Sequence, residues 1–234
     1  MQQQGTIVGV SLGPGDPDLI TLKGLKALRN ADKIYFPGSI FSDGMRTSYS
    51  EKILAHYQLD NQKCIGFYLQ MNLDRAQANT IYDATAEQVL SDVQKGLSVA
   101  IVSEGDVSTY SSVSYLVKRL DNAGATLELI PGITSYGLGA ALNKLPLGLQ
   151  DEQITILPRA VSAAAIKEAL AHSKTVVLMK IRSVMEEIAL LVKEEQCTFV
   201  YCERLGTPEQ FMTQEWNDIK NRNIPYFSLM IVQQ

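Results

Sequence analysis

A loop rich in glycine and proline, SLGPGDP at residues 11–17, separates a predicted strand from a predicted helix. Its glycines lack the G-x-G-x-x-G spacing of a dinucleotide-binding loop, and no Gly-Lys-Ser/Thr of a P-loop occurs in the chain. Pro14 and Pro17 also lack the N–H groups that a phosphate-binding loop uses. The loop could be an ordinary tight turn or the site of a ligand other than a phosphate.

A second loop places two carboxylates on either side of a glycine, Glu104-Gly105-Asp106. It follows the apolar run at residues 99–102 and precedes a predicted helix. Two acidic side chains repel phosphate, but they suit a ligand that carries hydroxyls, an ammonium group and a sulfonium. Asp106 could instead be the N-cap of the helix that follows it.

A third loop, Pro131-Gly132-Ile133-Thr134-Ser135, has the same position after a strand and before a helix. Thr134 and Ser135 are either hydroxyl donors to a ligand or an ordinary helix cap. Open α/β sheets bind ligands outside the carboxyl ends of their strands. We therefore expect the three loops to converge on one crevice.

The elements that position these loops alternate between apolar runs and amphipathic stretches, which is typical of parallel strands joined by helices. Strands are predicted at residues 5–10, 32–36, 99–102 and 126–130 of the first half. Helices are predicted at residues 19–30, 75–95 and 108–122, the first begun by Asp18 or Thr21 and the second ended by Gly96. Phe36-Pro37-Gly38 is predicted to turn the chain.

The pattern breaks after Pro131-Gly132, and this break predicts two domains, at residues 1–132 and 133–234. Strands of the second domain are predicted at residues 153–157, 175–180, 198–203 and 226–232. Its helices are predicted at residues 134–143, 163–172 and 184–194. The fold class is α/β, with a parallel sheet in the N-terminal domain and a mixed sheet in the C-terminal domain, whose closing segments could pair antiparallel.

Composition narrows the possible partners. Lys and Arg number 21 against 25 Asp and Glu, and no basic stripe tracks along the chain, so we expect no nucleic acid partner. No run of 18 apolar residues occurs, so we expect no membrane partner. The N-terminal segment is unlike a signal peptide, which favours a cytoplasmic protein.

Cysteines and histidines give little support for a metal site or a nucleophile. Cys197 and Cys202 are five residues apart in a predicted strand, so they should point to opposite faces of the sheet. His56 and His172 are far apart in the sequence and should be surface or structural residues. We therefore predict no metal and no Cys-His or Ser-His-Asp site.

Five sequence blocks occur in an order that resembles the tetrapyrrole methylase family. They are GPGDPDLITLKGLKAL, VSEGDVSTYSS, IPGITS, VVLMK and CERLGTPEQ. The resemblance implies S-adenosylmethionine as methyl donor and a tetrapyrrole as acceptor. It also implies a homodimer of two-domain subunits, with the active site in the trough between the two domains.

The family's cofactor-binding residues match nine positions of this sequence. They are Pro14, Glu104, Gly105, Asp106, Thr109, Thr134, Ser135, Met179 and Gly206. Glu104 and Val107 depart from the family, because many relatives have glycine and proline there. If Asp106 contacts the cofactor and also caps a helix, Asp106→Asn should cost under about 1 kcal/mol of stability and still weaken cofactor binding.

The acceptor's chemistry adds two further sets of candidates. The resemblance to family members that methylate carbon 20 of the macrocycle implies that a proton leaves that carbon after methylation, and water, Asp106 or Tyr110 could accept it. The acceptor's acetate and propionate groups require dispersed cations. The cations flanking the predicted loops, most of which could equally be solvated surface charges, are Arg46, Arg75, Arg159, Lys180 and Arg204.

Three blocks narrow the resemblance within the family. VVLMK, ERLGTPEQ and the terminal PYFSLMIV are most similar to members that methylate bridging carbon 20 of the macrocycle. The alternatives are a sister methylase acting at another carbon, a protein methylase similar to diphthine synthase, and a small-ligand-binding module without catalysis.

Overall fold

The computed structural model describes residues 5–41, 43–70, 75–159, 162–194 and 197–234. The chain divides into two compact units, Met1–Thr134 and Ser135–Gln234. The domain boundary expected from the sequence, after residue 132, falls two residues earlier.

The first unit is built on a sheet whose strands run parallel, except for one short strand. Its strands are β1 (Ile7–Ser11), β2 (Lys33–Ile40), β3 (Arg46–Thr47), β4 (Cys64–Gln70), β5 (Val99–Ser103) and β6 (Leu127–Ile130). The parallel strands lie in the order β4-β2-β5-β1-β6, and β3 pairs antiparallel with the end of β2. Every residue of β5 is buried, as expected for a central strand with helices on both faces.

Helices cover both faces of this sheet. They are α1 (Leu22–Asn30), α2 (Tyr49–Leu54), α3 (Arg75–Gln94) and α4 (Ser114–Asn122). One core joins α3 and α4 to side chains such as Ile101, and the other joins α1 and α2 to side chains such as Val102. Thr21 caps α1 through its side-chain oxygen, and Gly96 follows α3 with a φ of 86°, as predicted.

The second unit contains a mixed sheet, as predicted. Its strands are β7 (Ile154–Leu157), β8 (Thr175–Met179), β9 (Thr198–Glu203), β10 (Phe211–Thr213) and β11 (Ser228–Gln233). Their order is β10-β9-β11-β8-β7, and only β7 and β8 pair in parallel. Its helices are α5 (Ser135–Leu142), α6 (Ala163–His172), α7 (Met185–Glu194) and α8 (Trp216–Ile219).

The two cysteines near β9 occupy opposite faces of the sheet, as their odd spacing predicted. Cys202 is buried with Ala140 and Leu229, whereas Cys197 packs against the core on the other face. His56 and His172 are exposed, which confirms the surface alternative.

The turn predicted at Phe36-Pro37-Gly38 is wrong, because these residues continue β2. The pairing of β2 with β5 ends at Tyr35, and its pairing with β3 begins at Ser39. On this side of β2, Pro37 lies in a gap where its missing N–H leaves no strand partner unbonded, while β4 pairs with the other side of β2 from Ile34 to Ile40. The carbonyl of Pro37 accepts a hydrogen bond of 2.6 Å from the hydroxyl of Ser48.

Candidate functional site

Backbone hydrogen bonds join the first two strand-end loops. Gly13 N–H donates to the carbonyl of Gly105 at 3.2 Å, and Gly105 N–H donates to the carbonyl of Gly13 at 2.7 Å. Both glycines have positive φ, 79° and 65°, which other residues adopt only at a cost. The predicted convergence of these loops is confirmed.

Ser11, at the end of β1, ties all three loops together. Its hydroxyl donates to the carbonyl of Ile130 at 2.8 Å and accepts from the N–H of Val107 at 2.8 Å. A Cβ built on Gly132 would lie 2.4 Å from the Cβ of Ser11, so only glycine fits there. Sequence reasoning missed Ser11; its only signal was a small polar residue at the end of an apolar strand.

Asp106 is a buried tie between the second and third loops. Its Oδ1 accepts from Ser108 N–H at 2.7 Å and from the hydroxyls of Ser108 and Thr109, and its Oδ2 accepts from Gly132 N–H at 2.7 Å. Burial by itself would raise the pKa of Asp106, but these hydrogen bonds together hold it below its usual value. The carboxylate is therefore ionised at neutral pH.

The helix-cap interpretation of Asp106 is wrong, and so is the predicted start of the helix at residue 108. The helix α4 begins only at Ser114, after a loop in which Asp106 organises a local turn. Short polar residues form such turns by bonding to nearby N–H groups, and this competes with helix formation. Whether Asp106 also contacts a cofactor stays a prediction.

Asp106→Asn should lower the free energy of unfolding by about 1 to 3 kcal/mol, more than a cap residue would predict. An amide must turn its NH₂ group toward the N–H of either Gly132 or Ser108, and one of these two part-buried hydrogen bonds is then lost. Denaturant unfolding measures the loss. The matched control is Asp60→Asn, because Asp60 accepts one exposed hydrogen bond, from Gln62 N–H, that asparagine can keep. An equal loss of unfolding free energy in the two variants would contradict the role of Asp106 in linking the second and third loops.

Glu104 anchors α2 beside the second loop. Its Oε1 accepts from the N–H and the hydroxyl of Ser50 at 3.0 and 2.7 Å, and Ser50 is fully buried. Burial raises the pKa of Glu104, and the hydrogen bonds from Ser50 offset this only in part. Sequence analysis made no prediction for α2, so it missed this contact.

Other predicted residues of the first unit surround the same turn. Pro14 is buried directly after Gly13, and Thr109 donates to Asp106. Tyr110 is 51% exposed and has a φ of 52°. Strained backbone of this kind occurs often at functional sites. Thr134 is half-buried at the end of the unit.

The remaining predicted residues belong to the second unit. Ser135 is the first residue of α5, and Met179 is the last residue of β8. Gly206 follows β9 with a φ of 76°, and its N–H donates to Oε1 of Gln210 at 2.8 Å. Both β8 and β9 pair antiparallel with β11, so Met179 and Gly206 lie at the same edge of the sheet.

The second loop has the chemistry of a site for a cationic, hydroxyl-bearing ligand. Residues 101–113 contain no basic side chain, and the turn carries a carboxylate on each side of Gly105. A Cβ built on Gly105 would meet no atom within 4 Å, so the space beside the turn is open. These features fit S-adenosylmethionine, whose ammonium and hydroxyl groups suit carboxylates.

The described residues also limit the type of site. Within the described ranges, no group of three or more His, Cys, Asp or Glu side chains could hold a metal ion. No helix among the described residues has the length and apolar character needed to cross a membrane.

Known proteins that are similar in sequence to this chain include methyltransferases. A precorrin-2 C(20)-methyltransferase of Sinorhizobium sp is 31% identical, with 97% of this chain and 95% of that protein covered. A cobalt-precorrin-2 C(20)-methyltransferase of Salmonella typhimurium is 28% identical, with 98% of this chain and 97% of that protein covered.

A solved structure shows the fold. It is a uroporphyrin-III C-methyltransferase from Thermus thermophilus in complex with S-adenosylhomocysteine, with a TM-score of 0.63, 20% identity and 98% of each chain covered. The sequence profile of the tetrapyrrole (corrin/porphyrin) methylases matches residues 6–215. The chain therefore belongs to the tetrapyrrole (corrin/porphyrin) methylases.

Proposed function

We propose that this chain transfers the methyl group of S-adenosylmethionine to carbon 20 of precorrin-2, or of its cobalt-containing counterpart, in cobalamin biosynthesis. The observation that carries the proposal is the similarity to two C(20)-methyltransferases over nearly the full length of all three chains. The blocks VVLMK, ERLGTPEQ and PYFSLMIV support the choice of carbon.

In this proposal the cofactor contacts are residues at or just after strand ends, some in the first unit and others in the second. Asp106 supplies negative charge, Glu104 supplies a second carboxyl group beside the turn, and Gly105 and Gly206 allow close approach to the backbone. The other predicted contacts are Pro14, Thr109, Thr134, Ser135 and Met179. When bound, S-adenosylmethionine supplies a methyl group that its sulfonium has already activated. The protein then has to hold a carbon nucleophile about 3 to 3.5 Å from that methyl group.

Loss of the proton from carbon 20 is the step for which the two candidate acceptors differ. Asp106 has a lowered pKa and hydrogen bonds at both carboxylate oxygens, so it is a weak base. The hydroxyl of Tyr110 is on a side chain that is 51% exposed. A neutral phenol is a poor proton acceptor, so this arrangement favours water beside the exposed Tyr110 as the acceptor, and it assigns Asp106 to positioning the loops.

We also propose a cytoplasmic homodimer whose subunits have domains at residues 1–132 and 133–234, with a tetrapyrrole but no nucleic acid or membrane as partner. The homodimer is what the family resemblance implies. A dimer interface would bury those of the exposed large apolar side chains that lie in it. The exposed large apolar side chains include Leu22, Leu149 and Leu190, at 78%, 58% and 54% exposure.

The product of the reaction tests the proposed function. The protein is incubated with precorrin-2, or with its cobalt form, and with S-adenosylmethionine carrying a ¹³C-labelled methyl group. NMR should show the label on carbon 20, and comparing the rates shows which metal state is preferred. Label at another ring carbon would keep the family and overturn the regiochemistry.

Calorimetry with S-adenosylhomocysteine tests the cofactor separately. We expect binding by the folded protein. No binding at millimolar ligand would overturn the cofactor site, and binding without methylation of any tetrapyrrole would favour a ligand-binding module or a protein methylase.

A further inference from the structure

Two basic residues with left-handed backbone lie at one edge of the second unit's sheet. Lys180 follows β8 with a φ of 54°, and Arg204 follows β9 with a φ of 50°. This conformation costs a non-glycine residue free energy that glycine avoids. Both positions therefore carry a long cationic side chain, although glycine would adopt this backbone conformation at a lower free energy cost.

The pairing of the strands places the two cations on either side of the start of β11. Lys180 N–H donates to the carbonyl of Ser228 at 3.2 Å, and Arg204 N–H donates to the carbonyl of Phe227 at 2.9 Å. Because β11 lies between β8 and β9, the two backbones are separated by two strand spacings, about 10 Å. This separation suits two carboxylates on one large ligand.

The charge of this edge is not cancelled by its own acidic residues. Glu203 is buried and is bound by Arg222, whose Nε and Nη2 donate at 3.0 and 2.6 Å. Among the described residues, Arg204 has one carboxylate within ion-pair distance, the exposed Glu209 at 3.6 Å, and an ion pair of this kind is weak. Arg204 also attracts the Glu203 carboxylate, but the hydrogen bonds of Glu203 come from Arg222 and Tyr201. Lys180 is exposed and has no carboxylate within ion-pair distance in the described ranges.

An exposed aromatic pair lies between the two cations. Tyr226 and Phe227 are 47% and 43% exposed, and their rings meet edge to face with centroids 5.2 Å apart. The turn that presents them is fixed by two bonds of Ser228, from its N–H to the carbonyl of Tyr226 and from its hydroxyl to that of Pro225. Exposed apolar surface rimmed by charge is typical of a binding site.

We propose that Lys180 and Arg204 bind carboxylates of the tetrapyrrole acceptor, and that Tyr226 and Phe227 contact its macrocycle. The proposal rests on the proposed function and adds the residues that select the acceptor. A conjugated ring with acidic side chains offers both the flat apolar surface and the anions that this edge complements.

The test uses Lys180→Gly and Arg204→Gly, which remove the charge and also relieve the left-handed backbone. The matched control is Lys144→Gly, because Lys144 is also an exposed lysine with a φ of 52° in the second unit. All three variants should have unchanged or slightly higher Tm, and should bind S-adenosylhomocysteine like the unsubstituted protein.

Lys180→Gly and Arg204→Gly should each raise KM for precorrin-2 about tenfold, whereas Lys144→Gly should not. Equilibrium dialysis of precorrin-2 with S-adenosylhomocysteine should show the same loss of affinity. In a variant that carries both Lys180→Gly and Arg204→Gly, added salt should weaken acceptor binding less than it does in the unsubstituted protein.

Unchanged acceptor affinity in both variants, with methylation of carbon 20 intact, would overturn this proposal and leave the proposed function standing. Absence of carbon 20 methylation in the unsubstituted protein would overturn the proposed function instead.

Discussion

Gly132→Ala should weaken S-adenosylhomocysteine binding at least about a hundredfold. The added Cβ would lie 2.4 Å from the Cβ of Ser11 and 3.2 Å from the carbonyl oxygen of Gly105. Both neighbours belong to backbone-fixed positions, so no side-chain rotation relieves the contact. The third loop must move away, and the bond from Gly132 N–H to Asp106 is then lost.

Calorimetry measures the change in affinity, and two controls separate it from general unfolding. Trp216 is the only tryptophan and lies in the second unit, so its fluorescence shows that this unit remains folded. Ser11→Gly removes the clashing Cβ. Gly132→Ala should therefore cost much less in a Ser11→Gly background than in the unsubstituted protein. Full affinity in Gly132→Ala alone would contradict the described contact between the loops.

Arg222→Met should destabilise the second unit by about 2 to 3 kcal/mol at neutral pH. Glu203 is 3% exposed and receives two hydrogen bonds from Arg222 and one from Tyr201. Without Arg222 the carboxylate stays buried, and Tyr201 is the one hydrogen-bond donor to it that remains among the described residues. Methionine retains apolar contact with Phe211, over whose ring Arg222 lies.

Denaturant unfolding followed by Trp216 fluorescence measures the loss. The control is Arg119→Met, because Arg119 also pairs with a carboxylate and lies over an aromatic ring, but its partner Asp83 is 61% exposed. The further hydrogen bonds of Arg119, to Asn79 and to the carbonyl of Tyr115, are exposed as well. That variant should lose less than about 1 kcal/mol, measured by circular dichroism over the same denaturant series. Equal losses would contradict the importance of burial at Glu203.

The effect of Arg222→Met should shrink in acid. Burial by itself would raise the pKa of Glu203, but the hydrogen bonds from Arg222 and Tyr201 hold it below its usual value. A lowered pKa stabilises the folded state above the ordinary glutamate range, and this contribution is lost as the pH falls through the lowered pKa. The difference between the two proteins should therefore decrease at low pH.

Local signals in the sequence predicted most elements that hold the site. The ranges of β9 and α6 were predicted without error, and the three loops follow their strands as expected. Buried parallel strands are continuous apolar runs, and glycine and proline mark their ends. These signals require no knowledge of distant contacts.

The segment between β2 and α3 could not be predicted in the same way. β3 has two residues and α2 has six, too few for a periodic pattern. The interpretation of Pro37-Gly38 failed because it depends on where β5 stops pairing with β2. That fact belongs to the sheet and not to the local sequence.

The site shows the same division. Sequence placed Asp106 at a strand end, but its role depends on Gly132, which lies 26 residues away. Glu104 likewise depends on Ser50, 54 residues earlier. The residue types were visible in the sequence, whereas their partners became known only from the fold.

The position of β1 in its sheet sets the order in which the first unit can form during synthesis. β1 pairs only with β5 and β6 in the described sheet, and the first of these begins at Val99. Translation adds about 5 to 20 residues per second, so this apolar strand is synthesised roughly five to twenty seconds before its first partner. The nascent chain therefore carries an unpaired, aggregation-prone apolar strand during that interval. We expect chaperones to bind this strand until β5 emerges from the ribosome.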